Sequence, residues 1–146
     1  LPQLKQQSGT VIFIGSEAAL KGGQQGSVYC ASKFALRGFT EALRRELADT
    51  SIDVLYLAPR ATLTAMNSST VVDMNRELGN NMDQPERVAD ELITLINKAQ
   101  PRRFIGWPER FFIKLNGLFP ALVDGALAKQ LAIIKRHALA TTNNHR

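Results

Sequence analysis

Ser16, Tyr29 and Lys33 carry side chains that can move a proton to or from an oxygen. A tyrosine with its ordinary pKa of about 10 is a poor base at neutral pH. An ammonium one helical turn away favours the phenolate, and so does the positive end of a helix whose first turn holds the ring. Tyr29 and Lys33 lie four residues apart, which sets both on one side of a helix. A phenol tuned in this way can protonate a forming alkoxide or deprotonate an alcohol. Ser16 can hydrogen-bond the same oxygen and hold it. The remaining requirement is a hydride carrier, which side chains do not provide. Taken singly, each residue also has a plainer reading, because Tyr and Lys four apart are commonplace on helices and a serine after a strand is usually a turn or cap residue.

The elements that must position these groups alternate along the chain. Thr10 to Gly15 reads as a short strand, fully buried because it lacks polar alternation. A helix follows from about Val28 to Ala48, with Ser27 as its N-cap and Ala31, Phe34, Ala35, Phe39, Ala42, Leu43 and Leu47 at helical spacing. Ile52 to Ala58 is a second apolar strand that Pro59 stops, and Ala65 to Leu78 reads as a helix ending near Gly79. Asp83 with Glu86 resembles a capping box, Pro85 suits a first turn, and Val88, Leu92, Leu95, Ile96 and Ala99 make one apolar stripe. "RRFIGW" supplies a third strand, and residues 108–137 read as helical pieces broken near Gly117 and Pro120. Strands and helices in alternation imply parallel pairing with right-handed crossovers, hence an α/β fold that is part of a doubly wound, Rossmann-like sheet. Sites in such sheets form beyond the carboxyl ends of the strands, where Ser16 and the turn from Pro59 to Thr64 both fall.

Composition narrows the function class. The chain has 146 residues, a net charge of +5, 45% hydrophobic residues and a single cysteine. Residues 1–100 hold ten Lys/Arg against eleven Asp/Glu, whereas residues 101–146 hold eight against two, spread among Phe, Leu and Ile. No dense basic run of the kind that grips phosphates is present, which argues against nucleic acid as a partner. Cys30 alone excludes an internal disulfide and suits a reducing compartment, and no Cys/His spacing resembles a metal site. Cys30 reads most simply as a small packed residue, and Gly22, Gly23 and Gly26 are too loosely spaced for a phosphate loop. No apolar stretch is long enough for a membrane span, and no secretory signal pattern opens the chain. The expected location is cytoplasmic, with a peripheral membrane position as the alternative.

In combination the motifs resemble the short-chain dehydrogenase/reductase family over most of the chain. "YCASK" matches that family's Tyr-x-x-x-Lys motif, "IGSEAA" its catalytic-serine segment, and "LAPRATLT" its Pro-Gly-x-x-x-Thr turn. The resemblance implies Tyr29 as acid and base, Lys33 as its partner and a ribose ligand, and Ser16 as the substrate-oxygen ligand. It also implies that Pro59 and Thr64 contact the nicotinamide half of NADP or NAD, with Tyr29, Lys33, Arg60 and Thr62 as further cofactor-binding residues. Arg60 stands where the family usually has glycine, so the turn differs or the guanidinium reaches toward cofactor phosphates. The family's glycine-rich phosphate loop, ribose selector and Asn-Asn-Ala-Gly segment belong to an N-terminal half. Residues 1–146 therefore read as a single partial domain, the C-terminal half with three strands and flanking helices.

The resemblance further implies a homo-oligomer joined through the 28–48 helix and a small carbonyl or alcohol substrate. In that family the counterpart of residues 107–137 covers the substrate, and aromatics such as Trp107 and Phe111 suit an apolar one. Packing against the sheet or a partner is the alternative, as is contact with a membrane surface. Residues 138–146 have little to pack and read as a mobile tail. A non-catalytic scaffold on the same fold is the rival of another class, although it has no evident need for Ser16, Tyr29 and Lys33 together.

Overall fold

The two long apolar runs pair side by side. Thr10–Ile14 (β1) and Asp53–Ala58 (β2) form a parallel ladder from Thr10↔Asp53 to Ile14↔Leu57, and Arg102–Phe104 (β3) adds in parallel from Tyr56↔Arg102 to Ala58↔Phe104. The computed structural model describes residues 2–6, 8–17, 26–107 and 109–143. Within them the sheet order is β1-β2-β3, so β2 is central, and Val54 to Ala58 are at most 3% exposed. β1 is an edge strand. Its residues Val11 to Phe13 are half-buried and Ile14 is exposed, which corrects the expectation of a fully buried strand. Apolar character alone does not reveal that one edge of a strand lacks a neighbour.

Ser27–Glu46 (α2), preceded by the short Pro2–Gln6 (α1), crosses from β1 to β2. Leu43 and the adjoining Leu47 pack with Ile52, Val54, Val11 and Leu4, and Phe39 meets Phe13 edge-on at 5.6 Å between ring centres. Gly26 caps this helix without a side-chain bond, and its carbonyl accepts the Cys30 N–H at 2.7 Å; Ser27 is the first helical residue rather than the cap. Phe34 and Phe39 remain exposed, so the apolar stripe of α2 is wider than the surface that covers it. Residues 18–25, with Gly22 and Gly23, lie outside the described residues, as do 144–146 of the expected tail.

Ser69–Glu77 (α3) starts later than Ala65 because Ser68 caps it, its hydroxyl accepting from the Val71 N–H, while a turn from Thr64 to Asn67 precedes it. Gly79, at φ +68°, ends that segment in the left-handed region glycine favours. Pro85–Asn97 (α4) has its proline in the first turn, as expected, and buries Leu95 completely. Its N-cap is Gln84 without a side-chain bond, so the Asp83–Glu86 capping box does not form; Asp83 has another partner, described below. Three further helices follow: Glu109–Leu118 (α5), Pro120–Ala128 (α6) and Leu131–Asn143 (α7). The first break falls at Phe119, since Gly117 stays within α5 and Pro120 opens α6. No helix among the described residues is long and apolar enough to cross a membrane.

α7 is fastened to α3 by charge. His137 Nε2 donates to Glu77 Oε2 at 2.8 Å, and Arg136 donates to the other carboxylate oxygen. The His137 bond first, then the Arg136 bond, hold the Glu77 carboxyl below its ordinary 4.5. A carboxylate with a depressed folded-state pKa contributes stability above the ordinary value and loses it as pH falls through the depressed one. Amide exchange in α7, corrected for intrinsic rates, should therefore be slow at about pH 6 and several-fold faster at about pH 3. In Glu77→Gln that acid step should disappear, leaving α7 equally loose at both.

Candidate active site

The site is set by what the chain does just past its strands. Pairing of β1 with β2 continues beyond the ladder: the Gly15 N–H donates to the Leu57 carbonyl at 2.7 Å, and the Glu17 N–H to the Pro59 carbonyl at 2.9 Å. Ser16 lies between these two bonds. Its backbone is thereby tied to the turn after β2, at the carboxyl end of the sheet, where parallel α/β folds form their crevices.

A tyrosine that sequence reasoning missed stands behind this junction. Tyr56 is 3% exposed, and a Cβ on Gly15 would fall 2.0 Å from its hydroxyl oxygen and 2.3 Å from its Cζ. Gly15 is therefore required by space, since the phenol occupies the volume of any larger side chain. The Tyr56 hydroxyl faces the backbone of Ser16 without completing a full hydrogen bond. Burial pushes this phenol above its ordinary 10.0, opposed by the Ser16 backbone and by the Arg37 charge. One aromatic within an apolar strand looks like any core residue, so its role was not visible in the pattern. The available signal was Gly15 itself, a glycine that closes the first apolar run and marks a place where another group can approach the backbone.

Tyr29 lies in the first turn of α2 with half its surface exposed, and the Lys33 Nζ sits 5.6 Å from the centre of its ring. The expected pair thus shares one side of the helix.

The turn after β2 is stapled to itself. The Thr62 hydroxyl donates to the Arg60 carbonyl at 3.1 Å, the Thr64 hydroxyl to Asn67 Oδ1 at 2.9 Å, and Asn67 Nδ2 to the Thr62 carbonyl at 3.2 Å. Arg60 points inward. Its Nε and Nη2 donate to the two oxygens of Asp83 at 2.8 and 2.7 Å, with the side chains 8% and 2% exposed. Arg87 adds a third contact to Asp83 at 3.2 Å. A two-pronged guanidinium–carboxylate pair is strong and directional, and removing one partner from a buried pair costs about 3–5 kcal/mol. The Arg60 guanidinium is thus held by protein, and Asp83 is a buried counterion rather than a helix cap.

A cavity of about 650 Å³ lined by Arg37, Arg102, Arg103, Phe104 and Lys114 contains none of the expected site residues. Among the described residues no cluster of His, Cys, Asp or Glu is suited to a metal ion.

A family model described as short chain dehydrogenase matches residues 1–75, which span Ser16, Tyr29, Lys33 and the Pro59–Thr64 turn. The chain is 43% identical over 75 residues to a 3-oxoacyl-[acyl-carrier-protein] reductase of Bos taurus, covering 51% of this chain and 30% of that protein. It is 31% identical over 134 residues to hydroxysteroid 11-beta-dehydrogenase 1-like protein B of Xenopus laevis, covering 88% of this chain and 44% of the relative. The chain therefore spans less than half the length of these curated relatives. Among solved structures, a short chain dehydrogenase from Burkholderia cenocepacia in complex with NADP superposes with a TM-score of 0.71 at 20% identity, over 86% of this chain and 50% of that one. One from Sphingobium yanoikuyae in complex with NADPH gives 0.61 at 18% identity, over 84% and 48%.

The packing of Tyr56 on Gly15 has a measurable consequence. Gly15→Ala should lower unfolding free energy by about 1–3 kcal/mol in urea titration, because a rigid buried ring must move. Gly38→Ala is the contrasting case, since nothing lies within 4 Å of its Cβ position and it sits inside α2. That change should leave stability unaltered or raise it by up to about 1 kcal/mol.

Proposed function

The chain belongs to the short chain dehydrogenase family, and from that premise we propose that it supplies the proton-transfer half of an oxidoreductase interconverting a carbonyl and a secondary alcohol. The observation that carries this reading is the Lys33 ammonium 5.6 Å from the centre of the Tyr29 ring, which lies exposed on the first turn of α2. In reduction the Tyr29 hydroxyl gives its proton to the forming alkoxide; in oxidation the phenolate takes one from the alcohol. Lys33 favours negative charge on that phenol oxygen, and the Ser16 hydroxyl donates to the reacting oxygen to hold it in place. NADP or NAD, when bound, supplies or accepts the hydride. Lys33, Pro59, Thr62 and Thr64 are the residues of this chain that would hold its nicotinamide half, whose polar edge suits the paired threonines.

The remaining parts of the proposal concern the whole protein. Residues 1–146 act as the C-terminal half of the dinucleotide-binding domain, the rest of which grips the pyrophosphate. Residues 107–137 cover a small apolar substrate, in keeping with the exposed Trp107, Phe111, Leu118, Phe119 and Leu122. The exposed Val28, Phe34 and Phe39 of α2 suit a homo-oligomeric contact.

In the complete enzyme carrying this segment, Tyr29→Phe should reduce kcat by about 10²–10⁴-fold while the fold stays intact by circular dichroism. Lys33→Met should reduce kcat and weaken dinucleotide binding together. Unchanged turnover in Tyr29→Phe removes that residue from the chemistry and the reading with it.

A further inference from the structure

The turn after β2 is the part of the proposed site where this chain departs from its family, and it is also the part most heavily tied down. Residues 59–68 contain no regular element beyond a single bridge between Thr62 and Asp83. Such a segment ordinarily gains its shape only when a ligand arrives, and ordering it then weakens binding. Here the shape is imposed beforehand from one anchor. Asp83 is held at both ends of its residue: its side chain receives the Arg60 fork, its N–H donates to the Ala61 carbonyl at 2.8 Å, and its carbonyl accepts the Leu63 N–H at 2.8 Å. Three points of the turn, at 60, 61 and 63, thus close on one residue at the entrance to α4. Asn67 then fixes Thr62 and Thr64 to each other. A glycine at position 60 would have no side chain with which to make this link.

We propose that Arg60 and Asp83 are positioning residues for the nicotinamide half of the dinucleotide, holding Thr62 and Thr64 in their binding arrangement before the ligand arrives. The proposal rests on the functional reading given above. Arg60 acts through the backbone it fixes and not by touching the ligand, and the pair sets affinity without entering the proton transfer.

The test uses the complete enzyme carrying this segment, with NADPH and NADH as probes. Arg60→Gly alone leaves Asp83 with the Arg87 contact only, and Asp83→Asn alone removes the carboxylate that the Arg60 fork engages; each is expected to lower stability. The combined Arg60→Gly/Asp83→Asn variant removes both charges and should recover thermal stability close to the unsubstituted protein. If the pair positions the turn, the combined variant should still bind dinucleotide about tenfold more weakly, with kcat at saturation within about threefold of the original. Without ligand, the amides at positions 63 and 83 should exchange faster in that variant, while amides in β2 stay unchanged. A combined variant that regains both stability and affinity, or whose two amides stay as protected as before, overturns the proposal and leaves the pair a purely structural one. Absence of any dinucleotide binding by the unsubstituted enzyme overturns the functional reading and this proposal with it.

Discussion

Two backbone hydrogen bonds, Gly15 to Leu57 and Glu17 to Pro59, carry the β1–β2 pairing past the last residues of the ladder. Everything proposed for the site depends on them. They bring a serine from one strand end to the turn from the other, and they do so with main-chain atoms. A parallel pair cannot be joined by a tight turn, so the chain between them must cross over. The crossover here is α2, and its first turn is where Tyr29 lies. Strand pairing, crossover and the place of the candidate residues are consequences of one topological choice.

Packing beneath the site enforces the same arrangement. Tyr56 fills the space over Gly15, stacks edge-on with Phe104 at 6.4 Å, and belongs with Ala58 and Phe13 to one apolar cluster. The strand that ends in Pro59 therefore supports the strand that ends in Ser16 from behind. A phenol in that position is costly to charge and remains a neutral, bulky wedge.

Much of this was legible in the sequence, for identifiable reasons. Val11–Ile14 and Val54–Ala58 are apolar runs bounded by glycine and proline, and the four-residue spacing of Tyr29 and Lys33 has one meaning on a helix. Gly79 and Pro85 marked a helix end and a helix start correctly because each acts through its own backbone. The misreadings share an opposite cause. Ser27 and Asp83 looked like caps by local pattern, yet Gly26 precedes α2 and Arg60, twenty-three residues upstream, claims Asp83. Long-range partners of polar residues leave no periodic trace, and neither does a strand's position within the sheet.

The Arg60–Asp83 pair also bears on how this turn can change over evolutionary time. Each residue is buried and answers the other's charge, so altering Arg60 by itself leaves the acid to Arg87 alone. Loss of the arginine therefore lowers the cost of a later change at the acid, and the two positions constrain each other across twenty-three residues.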